Sequence, residues 1–194
     1  MKIDDLDALL LPVPESFESD RLLIRAAQWG DGLPLNEAIA ESIDDLRLWM
    51  PWAKEVPSAD DSEAYVRRSR LNYLERKDMA YLLFHKQTGQ LVGCSGLHRL
   101  DWQARCFEIG YWLRTSCTGQ GYMTEAVHAI TEFAVRELQA SRIEVRCDSR
   151  NGRSAAVALR CGFMLEGTLR RQMLDTSGDS RDTRVYSKVK GIEF

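Results

Sequence analysis

Residues 108–127, EIGYWLRTSCTGQGYMTEAV, set the architecture of this chain. With the residues just before it, the first part alternates: Phe107, Ile109, Tyr111 and Leu113 fall on one face, Glu108, Gly110, Trp112 and Arg114 on the other. That two-residue period predicts a strand over 105–114. The last part opens a helix expected from about Tyr122 to Leu138. Gly119 and Gly121 stand between the two. A strand that ends in bare backbone and runs into a helix gathers N–H groups that lack intrahelical acceptors, with the positive end of the helix dipole behind them. Such a junction suits an anion, because glycine lets a phosphate approach with no Cβ in the way. The spacing fits neither common nucleotide fingerprint. No third glycine follows three residues later, and no Gly-Lys-Ser/Thr is present. From the spacing alone, a ligand-free glycine turn is an equal alternative.

Working outward, 142–147 (RIEVRC) reads as a further strand, and 151–163 (NGRSAAVALRCGF) as a helix capped by Asn151 and closed by a left-handed Gly162. MLEGTLRRQML and TRVYSKV close the chain as two strands around the turn DTSGDS. Upstream, MAYLLFHK and LVGCSGLHRL form a hairpin around QTGQ. RLLIRAA (21–27) is a strand and Leu33 to Ile43 a helix, followed by a short helix and a loop across LRLWMPWAKEVPSADD. Ser62 is expected to cap a helix over about 64–76, with Tyr65, Ser69, Asn72 and Tyr73 on one side. The pattern is mixed α/β (α+β). Residues 1–19 are read as a leader and 20–194 as one domain.

Bulk composition narrows the function. The 194 residues carry a net charge of −3, so no basic field exists to attract nucleic acid. An acidic surface suits amines and cationic termini as partners. No apolar stretch is long enough for a membrane span, and the acidic start lacks the basic flank of a signal peptide, which predicts a cytoplasmic protein. The five cysteines (Cys94, Cys106, Cys117, Cys147, Cys161) contain no CxxC pair, and His85, His98 and His128 are far apart. Neither a disulfide framework nor a metal site is indicated, and the histidines read as unrelated surface or half-buried residues.

The 108–127 stretch resembles the coenzyme A loop of the GNAT N-acetyltransferases, in which a Q/R-x-x-G-x-G/A run joins the fourth strand to the next helix. DRLLIRAA, WMPW (49–52), EIGYWL and VALRCGFMLEG (157–167) extend the likeness, in order and spacing, to the branch of the RimJ and RimL ribosomal-protein N-terminal acetyltransferases. The resemblance implies a single mixed, mostly antiparallel sheet flanked by helices, with splayed central strands. It implies acetyl-CoA as cosubstrate, with its pyrophosphate on the backbone of a loop spanning Cys117, Thr118, Gly119, Gln120, Gly121, Tyr122, Met123 and Thr124. The pantetheine arm would lie along Trp112, Leu113 and Arg114 and near Asn151 and Ser154. Ser116 stands where the family has Gln or Arg.

Acetyl transfer to an amine needs a base for the amine, polarisation of the thioester, and a proton for the leaving thiolate. Glu108 is the expected base, its pKa raised by walls such as Tyr111 and Trp112; a carboxylate paired with Arg105 or Arg146 is the other reading. A glutamate that some relatives place after the LEG strand is Met173 here. The helix tyrosine of many relatives corresponds to Ala158, which leaves Ser154 or a water as the proton donor. Cys147 reads as a small core residue, since no histidine nearby in sequence would activate it. Asp44, Asp45 and Glu55 are expected to attract a cationic amine beside Trp49 and Trp52. The acceptor is expected to be a protein N-terminal α-amine. A small amine such as a polyamine or aminoglycoside, and a non-catalytic CoA sensor, are the alternatives. A homodimer is implied by resemblance alone.

Overall fold

The alternation that begins at Phe107 is the centre of an eight-stranded sheet. The computed structural model describes residues 8–194. In chain order the strands are β1 (Ser16–Glu18), β2 (Leu22–Ala26), β3 (Met79–His85), β4 (Leu91–Asp101), β5 (Cys106–Leu113), β6 (Arg142–Asp148), β7 (Met164–Leu174) and β8 (Ser180–Val189). The helices are α1 (Gly32–Leu46), α2 (Ala59–Leu74), α3 (Tyr122–Arg136) and α4 (Gly152–Arg160). Across the sheet the order is β1-β2-β3-β4-β5-β6-β8-β7. Every neighbouring pair is antiparallel except β5 and β6, which run parallel and are joined through α3. A parallel pair needs such a crossover. This is the mixed, mostly antiparallel sheet that the resemblance implies, in the mixed α/β pattern read from the sequence.

The period of each element decides which face it buries. Phe107 and Ile109 of β5 and Val145 of β6 pack in one core with Val127, Ile130 and Ala134 of α3 and Ala158 of α4. Leu82, Leu91 and Ala27 form a second core with Leu35, Ala38 and Ile39 of α1 and Val66 of α2. Phe17 of β1 stacks flat on Phe133 of α3, with centroids 4.4 Å apart. Residues 1–7 of the expected leader lie outside the described residues.

Three local expectations are corrected. Ser58, not Ser62, caps α2: its Oγ accepts from the Asp61 amide at 3.0 Å. Ser62 is instead buried inside the helix, where Asn36 Nδ2 donates to its Oγ at 3.1 Å. The buried side of α2 is Ser62, Val66, Ser69 and Tyr73, a spacing of four, three and four, so Tyr65 turns outward. No separate short helix follows Leu46; α1 ends there and the chain passes through turns to Ser58.

The pairing of β5 with β6 is short. It runs from Cys106↔Arg142 to Ile109↔Val145 and stops. From Gly110 onward β5 keeps β4 on one side but has no strand on the other, while β6 continues against β8 as far as Asp148↔Thr183. The gap that results is what positions the site.

Candidate active site

After β5, a 3-10 turn at Thr115–Cys117 carries the chain to Gly119 and Gly121, both left-handed with φ of 74° and 81°. Residues other than glycine are strained there. The amides of Cys117 and Thr118 donate to the carbonyls of Arg114 and Thr115 and so are spent within the turn. The amides of Gly119, Gln120, Gly121, Tyr122, Met123 and Thr124 meet no acceptor among the described residues; the first bond of α3 is Glu125 N–H to Gly121 O. Consecutive free donors at the positive end of a fifteen-residue helix make a cradle of the kind that suits an anion. Cys117 is buried in the core, and the Tyr122 ring lies under the Arg21 guanidinium, so neither side chain serves the cradle.

The turn before the cradle is held by α1. Glu41 accepts from the Ser116 amide at 2.9 Å and pairs with Arg114; Ser42 Oγ accepts from the Thr115 amide at 3.0 Å; Asp45 accepts from the Thr115 hydroxyl at 2.8 Å. The bonds from Ser116, followed by those from Arg114, hold the Glu41 carboxyl below the ordinary glutamate range. The sign follows: the clamp is intact above the usual carboxylate pKa and is lost as pH falls through the lowered value. Glu41→Ala is expected to raise KM for acetyl-CoA by about tenfold, with kcat little changed, in a steady-state thiol-release assay.

The cradle opens into a cleft of about 1400 Å³ that passes through the sheet at the β5–β6 gap. Its walls include Ile109 to Leu113 of β5, Arg146 to Asp148 of β6, Asn151 and Ser154 of α4, and Trp49 to Trp52. Asn151 accepts from the Ser154 amide at 3.0 Å, the helix cap expected from sequence. Ser154 Oγ donates to the Tyr111 hydroxyl at 3.0 Å, and that hydroxyl donates to the Ser154 carbonyl at 2.9 Å. Tyr111 therefore places a phenol from β5 against the start of α4, whose Ala158 is fully buried. Burial pushes the Tyr111 hydroxyl well above its ordinary pKa, so it stays protonated. Burial likewise raises the Cys147 thiol, opposed by a hydrogen bond with Ser154, and a thiol held protonated is a poor nucleophile.

Glu108 lies on the opposite face from Phe107 and Ile109, as expected, but its surroundings differ from expectation. Tyr111 turns away to α4, and the groups beside Glu108 are Arg99 at 3.3 Å and Arg146 at 3.5 Å. Arg105 instead donates to the Leu138 carbonyl. Neither arginine aligns as a hydrogen bond, so Glu108 Oε2 is buried without a donor. Burial pushes the carboxyl above the ordinary range, with Arg99 and Arg146 pulling the other way. Glu108 is not itself among the residues lining the cleft, but its cross-strand partner His98 and its neighbour Arg146 are.

A family model describing an acetyltransferase (GNAT) domain matches residues 21–164. The chain belongs to the GNAT acetyltransferase family. It is 27% identical over 172 residues to the ribosomal-protein-serine acetyltransferase of Escherichia coli (strain K12), covering 88% of this chain and 94% of that one. Among solved structures it resembles the microcin C7 self-immunity acetyltransferase MccE, in complex with acetyl-CoA and AMP (TM-score 0.83, 26% identity, 91% of this chain and 97% of that one). It also resembles RimL, a ribosomal L7/L12 α-N-protein acetyltransferase, in complex with coenzyme A (TM-score 0.82, 25% identity, 93% and 98%). The protein is an acetyl-CoA-dependent N-acetyltransferase.

Within this GNAT fold several side chains join the site that local patterns do not single out. Arg160 of α4 lines the cleft and donates to Thr124 Oγ1 at 3.3 Å, which sets a cation beside the cradle. Arg153 faces Asp45 across the mouth at 3.9 Å. Asp45, Glu55 and Asp61 line the cleft, whereas Asp44 points to solvent and pairs with Arg47. Trp49 and Trp52 line it as well, Trp52 tilted against Trp112 at 6.2 Å. Met173 lines the β7 side, with Arg181 on its sulfur at 3.5 Å. Among the described residues no group of His, Cys, Asp or Glu is arranged to hold a metal ion.

Proposed function

We propose that the protein transfers the acetyl group of acetyl-CoA to the α-amine of a protein N-terminus by direct attack. The observation that carries this reading is the gap beyond Ile109↔Val145, which joins the amide cradle to an acidic mouth through the sheet. The amides of Gly119 to Thr124 would hold the diphosphate, with Arg160 beside it. The unpaired edge of β5 around Leu113, between Trp112 and Arg114, would pair with the pantetheine amides, since free strand groups need partners; the Arg114 amide itself is already donated to the Val92 carbonyl. Asn151 and Ser154 flank that path on α4.

Glu108 is the base in this proposal, acting across an intervening group because it stands behind the cleft wall. Its raised pKa and unpaired oxygen support the role. Ser154, bonded to the Tyr111 phenol, returns a proton to the thiolate. Relatives named for ribosomal-protein N-termini support a peptide acceptor, and Asp45, Glu55 and Asp61 suit a cationic terminus. The same reading sets the protein in the cytoplasm as a homodimer without nucleic-acid or membrane partners. A net charge of −3, the absence of a long apolar helix among the described residues, and the exposed Met164, Leu165 and Leu169 on edge strand β7 support it.

The test is thiol release from acetyl-CoA with N-terminal peptides, polyamines and aminoglycosides as acceptors. Peptides are expected to give the highest kcat/KM. Faster turnover of a small amine would reject the acceptor assignment.

A further inference from the structure

Glu108 does not reach the cleft, and a different side chain on the same face does. His98 of β4 lines the cleft and is the direct cross-strand partner of Glu108. Directly opposed residues project to the same side of a sheet. Asp78, just before β3, lies 2.6 Å from His98 Nδ1 through Oδ2. A carboxylate only accepts, so the shared proton sits on Nδ1, and in the neutral form of the ring the lone pair is on Nε2. Nε2 has no hydrogen-bond partner among the described residues.

Gly110 fixes where that lone pair stands. A Cβ added there would meet His98 Cδ2 at 2.9 Å and Nε2 at 3.1 Å. The Cδ2–Nε2 edge of the ring therefore rests on bare backbone, which only glycine supplies. Gly110 is also the first β5 residue past the last β5–β6 pair. The free imidazole nitrogen thus sits at the start of the gap, at the junction of the cleft with Glu108.

We propose that His98, oriented by Asp78, is the catalytic residue that takes the proton of the acceptor amine and hands it on through water towards Glu108. The inference rests on the acetyl-transfer reading above and supplies the intervening group which that reading requires. The amine nitrogen forms its bond to the acetyl carbonyl carbon as its proton moves to Nε2. The C–S bond breaks, its electron pair leaves on sulfur, and the Ser154–Tyr111 hydroxyls protonate the thiolate. Asp78 faces the imidazolium that forms; Glu108, the cross-strand neighbour, carries Arg99 and Arg146 beside it. Glu108 makes no direct contact with the ring nitrogens, so the Nε2 proton leaves through water, towards Glu108 or to solvent, which restores the neutral ring.

The test compares wild type, His98→Gln, His98→Ala and Asp78→Asn for thiol release, with CoA affinity by calorimetry. His98→Gln is expected to lower kcat by about 100-fold or more while CoA affinity stays unchanged. Added imidazole should restore part of the His98→Ala rate, and pyrazole, of similar shape but far weaker basicity, should not. In ¹⁵N spectra of histidine-labelled protein, the Nδ1–H tautomer of His98 should dominate in wild type and be lost in Asp78→Asn. Near-normal kcat in His98→Gln, equal rescue by pyrazole, or an Nε2–H tautomer in wild type would each overturn the assignment and leave the acetyl-transfer reading standing. A wild type that acetylates no amine at all would remove that reading, and this inference with it.

Discussion

Gly121→Val is expected to reduce CoA affinity by at least about 100-fold, or ~2.7 kcal/mol, in a protein that still folds. Gly121 has φ of 81°, where a β-branched residue is strained by about 1–3 kcal/mol. That strain is local to the junction. A Cβ at 121 would meet only Arg21 Nη2, at an ordinary 3.6 Å, so the surrounding packing accepts it. Its methyls, however, would stand over the donors that receive the diphosphate, and relieving the φ strain would turn those donors apart. Calorimetric titration with CoA checks the affinity and circular dichroism checks the fold. A folded variant with retained affinity would move the phosphate site elsewhere.

Glu108→Gln is expected to lower kcat by about 100-fold or more and to leave CoA affinity unchanged. The amide keeps the volume and removes only the basic oxygen, whose charged form burial already disfavours. Arg146 retains Glu144 at 2.9 Å and Arg99 is largely exposed, so neither guanidinium is stranded by the change. Melting temperature should accordingly hold. Unchanged turnover across the pH range would remove Glu108 from the chemistry. Because Glu108 works through His98 in the relay inferred above, the two single variants should be far from additive.

Much of the fold was legible because it is written in short-range periods. The β5 alternation, the glycine pair, the Asn151 cap and the left-handed Gly162 each depend on neighbours within a few residues, and each is found where the sequence puts it. The Ser58 cap was misplaced for a related reason. Two serines stand near the start of α2, and the choice between them is made by Asn36, which draws Ser62 into the interior from a different helix. The surroundings of Glu108 were not legible either. Sequence adjacency suggested Tyr111 and Trp112 as its wall, but a residue three along a strand lies on the opposite face, and the real neighbours come from β4 and β6.

From the chain read by itself one can derive a strand, a bare-backbone bend and a helix in that order, and hence a row of amides able to seat a phosphate. Backbone donors at a helix start depend on local conformation, and local conformation follows from local residue types. The working chemistry belongs to pairs that only folding brings together. Tyr111 and Ser154 are 43 residues apart, His98 and Asp78 twenty apart, and Glu41 lies 75 residues from the amide it holds. Side-chain protonation depends on burial and on charges within a few ångströms, and these distances exist only once α1, α4 and the central strands are packed.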